Sequence, residues 1–263
     1  METAKTPGLD NITLDRRTKI LDILGTDGSV RVNQLSQDFG VSEVTIRNDL
    51  THLERKGLLI KTRGGGIRSL RGGIDYKLNE KSKLHSAEKQ KIGLKAAQLI
   101  QDNDTIIIDS GTTTIEVAKN LNHVKNLTVI SNALNIAGQL VNYEDMKVIL
   151  LGGILRNTSL SLIGSIAESS IKNFYCDKLF MGVDGIDSQY GVFTPNSEEA
   201  YLNRHMIENS KQVIVVTDSS KFKRKGFAFI APITEIDIVV TDSGIPPEEL
   251  KNLRNIGVTT IIV

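Results

Sequence analysis

Val41-Ser42-Glu43-Val44-Thr45-Ile46-Arg47-Asn48-Asp49-Leu50-Thr51-His52-Leu53 decides how the N-terminal part of this chain is read. Ser42 is suited to cap a helix, and Ile46, Leu50 and Leu53 recur at the spacing of one buried face. A helix is therefore predicted over residues 43–56, with Gly57 at its C′ position. Upstream, Leu35 and Phe39 stand four apart in a predicted helix over residues 33–39, and Gly40 supplies the turn after it. Further back, Ile20, Leu21, Ile23 and Leu24 form a helical stripe that Thr13 opens and that closes near Gly25 and Gly28. Downstream, residues 58–62 and 67–70 read as strands joined by Arg63-Gly64-Gly65-Gly66. Three helices and a basic hairpin describe a winged helix-turn-helix domain over residues 13–71.

In such a domain the second helix of the motif enters the major groove with its N-terminal residues against base edges. With Val44, Ile46, Leu50 and Leu53 assigned mainly to packing, Glu43, Thr45, Arg47, Asn48 and Thr51 face outward. Arg47 offers a bidentate fork to guanine, Asn48 pairs with adenine, and the Ser42 and Thr45 hydroxyls suit phosphate or base contacts. In the wing, Lys61, Arg63 and Arg68 add charge, and Gly64 and Gly65 are expected to let backbone amides approach phosphate or the minor groove. The net charge of +1 over 263 residues conceals this patch, because residues 55–71 hold six cations and no acid. The rest of the chain is left with 26 Lys+Arg against 31 Asp+Glu. A compact basic patch on an acidic protein is the footprint of a nucleic-acid-binding unit, although Arg47 and Asp49 on their own would be ordinary surface charges.

Residues 72–86, with Gly72-Gly73 and the polar run Asn79-Glu80-Lys81-Ser82-Lys83, read as a linker. From residue 87 to 263 helix and strand signals alternate. Ile106-Ile107-Ile108, Val148-Ile149-Leu150-Leu151, Val213-Ile214-Val215-Val216 and Ile238-Val239-Val240 have the continuous apolar character of strands buried on both faces. The fold class is α/β, with a mostly parallel sheet in the larger domain. Asp109-Ser110-Gly111-Thr112-Thr113-Thr114 lies where a buried strand passes into a helix. There backbone N–H groups, hydroxyls and an unusual backbone angle at Gly111 would together cradle a phosphate. Serine and threonine at a strand end are also simple N-caps. However, Asn132, Gly152-Gly153, the loop from Asp184 to Asp187 and the loop from Asp218 to Lys221 also follow predicted strands, and ligands of open α/β sheets bind at those carboxyl ends.

Composition limits the alternatives. The single cysteine, Cys176, makes no intramolecular disulfide or thiolate cluster, and His52, His85, His123 and His205 are too dispersed for a local metal motif, so neither metal nor cofactor is expected. With no apolar run near the ~18 residues of a membrane span and a polar N-terminus, a cytoplasmic protein without membrane contact is expected.

The run from Val41 to Leu50 and that from Leu53 to Gly66 resemble the DNA-binding signature of the DeoR family of bacterial transcriptional regulators. Asp109 to Thr114, Ser131-Asn132-Ala133, Leu151-Gly152-Gly153, Phe180 to Asp187 and Thr217 to Phe222 resemble that family's effector domain, in order, so the likeness runs from about Leu14 to the C-terminus. Arg63 departs from it, since histidine or tyrosine often precedes the glycines. The resemblance implies a repressor of a sugar or amino-sugar catabolic operon, released from operator DNA by a phosphorylated sugar. Because the winged helix is small and operators of this type usually hold two half-sites, a homo-oligomer, dimer or tetramer, joined through the larger domain is expected. The effector domain is similar in fold to phosphosugar isomerases of the ribose-5-phosphate kind. That similarity allows an enzyme alternative in which Asp184, Asp187 and Glu198 or Glu199 move a proton while Lys221 stabilises an enediolate. Against it stand the segment Gly191 to Asn196, where those enzymes carry a lysine and a glycine-rich run, and the fused winged helix. A protein-binding winged helix is disfavoured by the basic patch. The carboxylates are accordingly read as hydroxyl acceptors, and Arg156 and Lys221 as partners for an anionic ligand.

Overall fold

The computed structural model describes Thr13, Arg16, Arg17, residues 19–21, 23, 24, 29–55, 58–68, 77–141 and 143–263, and divides the chain into two units, Met1–Ile74 and Asp75–Val263. In the first unit the described residues between 13 and 24 are helical, followed by strand Ser29–Arg31, helices Val32–Phe39 and Glu43–Arg55, and strands Leu59–Thr62 and Gly65–Arg68. Gly40 ends the first helix of the motif in a left-handed conformation (φ 62°), returning its N–H to Gln37 and Ser36. Ser42 Oγ accepts the Thr45 N–H at 3.1 Å and so caps the next helix. The expected residues Gly25, Gly28, Lys56, Gly57, Leu70 and Arg71 lie outside the described part.

The wing is a three-stranded antiparallel sheet, not a simple hairpin, with Gly65–Arg68 between Ser29–Arg31 and Leu59–Thr62. Three residues are too few to show a strand period, which is why Ser29–Arg31 is invisible in the sequence. With Gly65 paired to both Arg31 and Thr62, the hairpin tip is Arg63-Gly64, and Gly65 has a packing task that the sequence does not announce. A Cβ at Gly65 would stand 1.8 Å from the Val30 carbonyl oxygen, so the glycine lets two backbones meet. Ile20, Leu24, Leu35, Ile46, Leu50 and Leu59 form the core. Asp49, 1% exposed, fastens the recognition helix to the first helix, accepting from Arg16 Nε at 2.6 Å and Arg17 Nε at 2.7 Å.

The second unit is built on seven parallel strands in the order Thr259–Ile262, Ile238–Thr241, Ser210–Val216, Cys176–Met181, Thr105–Ile108, Thr128–Ser131, Lys147–Leu150. Successive side chains serve opposite faces. Ile106, Ile108, Val129, Phe180, Ile214 and Val240 meet helices Ser86–Ala97, Thr114–Ala118 and Leu134–Leu140, whereas Ile107, Ile130, Leu179, Val215 and Val239 meet helices Ser165–Ile171, Ser197–Glu208 and Pro247–Asn255. A small sheet of Gly185–Asp187, Gly191–Thr194 and Ala228–Ala231 and a hairpin of Ile154–Arg156 with Ser161–Ile163 complete the unit. No helix among the described residues is long and apolar enough to cross a membrane.

Of the linker expected over residues 72–86, residues 72–76 lie outside the described part and the described residues from 77 on are largely folded structure. Residues 78–81 form a helix whose Leu78 N–H reaches the Thr158 carbonyl at 2.8 Å, and Lys89 Nζ donates to the carbonyls of Lys81 and Leu84 at 2.6 and 2.7 Å. Its polar composition conceals this because tertiary partners, not an apolar face, hold it.

Two substitutions test these packing assignments. Asp49→Ala strands two arginines, and a loss of about 2 kcal/mol is expected, read as roughly 30-fold faster hydrogen exchange of the recognition-helix amides. Gly93→Ala tests the opposite of helix propensity. A methyl on this helical glycine would meet Glu116 Cβ at 2.4 Å and its backbone carbon at 2.5 Å. Overpacking of about 1–3 kcal/mol outweighs the gain of about 1 kcal/mol that alanine brings to an open helix, so the melting temperature should fall.

Candidate functional site

The sheet reverses its order of connection at Thr105–Ile108. The chain moves from it to Thr128–Ser131 and Lys147–Leu150 on one side, then returns to Cys176–Met181 on the other. Ligands of open α/β sheets bind in the crevice beyond such a switch. Residues 109–114 stand at this crevice. Asp109 spans it, its N–H donating to the Phe180 carbonyl at 3.1 Å and its Oδ1 accepting the Gly182 N–H at 3.0 Å. Burial holds the Asp109 carboxyl well above the usual carboxylate range, with the Gly182 N–H opposing and the Glu199 and Asp184 charges adding to the rise.

Beyond Asp109 the loop is rich in unused donors. Among the described residues, nothing accepts the backbone N–H groups of residues 110–113, although Thr112 and Thr113 are buried. Thr114 Oγ1 is buried and has no hydrogen-bond partner among them either. The following helix, Thr114–Ala118, has five residues, so its dipole adds little and the loop amides themselves form the anion-attracting surface. Gly111 does not adopt a left-handed angle as its type suggested. It supplies space, since a Cβ there would stand 2.8 Å from Thr114 Oγ1.

Charge gathers on the other side of the crevice. Asp184 receives Lys81 Nζ at 2.7 Å, and Lys221 Nζ lies 3.8 Å away. Burial raises the Asp184 carboxyl, and the two ammonium groups more than offset this, holding it below its ordinary value. Burial likewise raises Asp218, which Lys221, the Ser220 hydrogen bond and Lys89 bring below its ordinary value. Lys89 is pushed down to about 8 by burial against the pull of Asp218, with Lys221 and Lys81 lowering it further.

Other expected residues have different roles. Asn132 is buried beside the hairpin, its carbonyl accepting the Leu162 N–H at 2.7 Å and its Oδ1 without a partner among the described residues. Gly153 (φ 133°) lets the backbone pass the Ile163 carbonyl, where a Cβ would stand at 2.5 Å, and Gly152 lies against Ile166, so this pair shapes the hairpin. Arg156 pairs with Glu199 at 3.1 Å and donates to Ser159 Oγ at 2.9 Å, so its charge is already matched. Glu199 also accepts from Ser161 Oγ at 2.8 Å, while Glu198 is exposed on the adjacent helix position. Asp187 accepts the Gln189 N–H at the end of its strand, apart from Asp184. The structure therefore does not bring Asp187 or Glu198 into the crevice. Sequence reading overlooked Lys81 and Lys89, which sit in and just after the polar run taken for a linker.

On the N-terminal unit, Ser42, Glu43, Arg47 and Asn48 share the exposed face, with Thr45 and Thr51 half-buried beside them. Val44, expected to pack, is 63% exposed on this face, an apolar surface suited to a thymine methyl. Arg47 Nη2 is held by Glu43 at 2.6 Å, and Ser42 Oγ lies 2.9 Å from Thr45 Oγ1. Lys61 Nζ donates to Thr51 Oγ1 at 2.8 Å and its N–H to Glu54, which locks the wing onto the recognition helix. Arg63 and Gly64 are exposed at the wing tip.

Comparison with known proteins agrees with this arrangement. Residues 16–70 match the DeoR-like helix-turn-helix domain, and residues 84–243 match the DeoR C terminal sensor domain. A putative aga operon transcriptional repressor of Escherichia coli O157:H7 is 42% identical over 95% of this chain and 94% of its own. The transcriptional repressor GlcR of Bacillus subtilis is 37% identical over 87% and 88%, and the glycerol-3-phosphate regulon repressor of Escherichia coli K12 is 33% identical over 91% and 95%. A solved ribose 5-phosphate isomerase from Methanocaldococcus jannaschii aligns over 52% of this chain and 55% of its own, with a TM-score of 0.39 and 15% identity. With both domain families matched in order and relatives aligned along nearly their whole length, the chain belongs to the DeoR family.

Proposed function

We propose that this protein represses a sugar or amino-sugar catabolic operon in the cytoplasm by binding operator DNA through its N-terminal unit, and that a phosphorylated sugar bound in its C-terminal unit releases it. The observation that carries the effector half is the loop of residues 110–113, whose backbone donors are untaken at the sheet's switch point. A phosphate is the group such a loop fits, because several converging N–H dipoles stabilise an anion without a fixed counter-charge. Lys221 and Lys81 stand across the crevice, with Asp184 between them. The DNA half rests on the exposed face of Ser42, Glu43, Arg47 and Asn48, on the basic wing and on the matched domain family.

The isomerase alternative is less well supported. Asp184 is tied to Lys81 and Glu199 to Arg156, Asp187 accepts the Gln189 N–H and Glu198 is exposed, and the relatives matched along most of this chain are named as regulators. Because one small winged helix reads a single half-site, the protein works as a homo-oligomer joined through its larger unit.

Arg47→Ala should weaken specific operator binding by about 1–3 kcal/mol and relax one base position, whereas Arg63→Ala should weaken binding to operator and random DNA alike. Binding titrations on both DNAs check this, and equal losses for the two variants on random DNA would contradict it. For the sensor, a sugar phosphate at ~100 times its dissociation constant should stabilise the protein by about 2.7 kcal/mol in a melting experiment. Gly111→Val, which crowds Thr114, should remove that shift. Linkage further requires operator DNA to weaken effector binding by the factor with which effector weakens operator binding.

A further inference from the structure

Helix Leu78–Lys81 and the turn after it have two differently built sides. From one, Lys81 reaches Asp184. On the other, Leu78, Asn79 and Ser82 line a cavity of about 470 Å3 that Gly111 and Thr112 of the amide-rich loop also line. That volume falls in the range of ~300–1,000 Å3 usual for small-molecule sites. Ile115 and Leu160 give it an apolar surface, and Asn135, near the start of helix Leu134–Leu140, faces the same space.

Asn135 is the informative residue. Both ends of its carboxamide, Oδ1 and Nδ2, are buried, and neither has a hydrogen-bond partner among the described residues. Buried amides are nearly always paired, and leaving donor and acceptor both unmet is costly. A group that donates and accepts at neighbouring positions would satisfy it, and adjacent sugar hydroxyls do so while their C–H face packs on aliphatic side chains.

We infer that the polyhydroxylated body of the effector occupies this cavity and is read by Asn135. Its phosphate then reaches the Gly111–Thr112 side, and the ligand closes against residues 78–82. This rests on the phosphate-loop reading above and deepens it. Asn135 becomes a specificity-determining residue, and the wall that the ligand covers is the first described structure after the boundary between the units at residues 74 and 75.

Amide hydrogen exchange on the full chain separates the two ideas. The probes are inorganic phosphate, glycerol 3-phosphate, and the 6-phosphates of glucose, galactose, glucosamine and N-acetylgalactosamine. Inorganic phosphate should protect residues 110–113 alone, and at least one sugar phosphate should also slow exchange at residues 78–82 by about tenfold or more. Asn135→Leu and the shape-preserving Asn135→Asp should each weaken that sugar phosphate by about tenfold while leaving inorganic phosphate binding unchanged. Sugar phosphates that protect residues 110–113 but never residues 78–82 overturn the inference and spare the phosphate loop, as does unchanged affinity in both variants. Absence of protection at residues 110–113 with every probe overturns both.

Discussion

Because strand Thr105–Ile108 is flanked by Thr128–Ser131 on one side and Cys176–Met181 on the other, the connections leaving these strands diverge to opposite faces of the sheet. The crevice this opens is spanned by the Asp109 side chain on the Gly182 N–H. Everything proposed for the sensor unit depends on that divergence. It leaves the amides of residues 110–113 without sheet partners and sets the lysines on the far side of Asp184. Asp109, whose burial holds its carboxyl above the usual carboxylate range, orders both loops through its N–H on Phe180 and its Oδ1 on the Gly182 N–H.

Much of this was legible in the amino-acid sequence where the signal is periodic or local. Ile106-Ile107-Ile108 declares a strand buried on both faces, and alternate members do serve opposite cores. Ser42 and Gly40 mark their turns by side-chain chemistry and backbone freedom, and both perform as read. The neighbours Glu198 and Glu199 show what a finer reading could extract. Glu199 lies three, four and seven residues before the buried Leu202, Asn203 and Met206, so helical periodicity alone places it inward and Glu198 outward.

Lys81 and Lys89 had no comparable signal. A polar run gains its meaning only when a residue distant in sequence arrives, here Asp184, 103 positions away from Lys81. Nor does composition distinguish an aspartate in solvent from Asp49, which two arginines of the preceding helix hold in the interior. Sequence patterns locate elements, whereas the pairing of charges follows from how the elements are packed.

The wing's two neighbouring glycines face opposite constraints. Gly65 lies against Val30 with no space for any side chain, whereas a Cβ on Gly64 would meet nothing within 4 Å. Adjacent positions of one turn thus differ completely in the variation they admit. Side chains of any size fit at the tip, residue 64 beside the exposed Arg63, while the position beneath admits only glycine. The wing is in this sense an interchangeable point on a fixed mount, and a change of charge or bulk at its tip asks nothing of the core below.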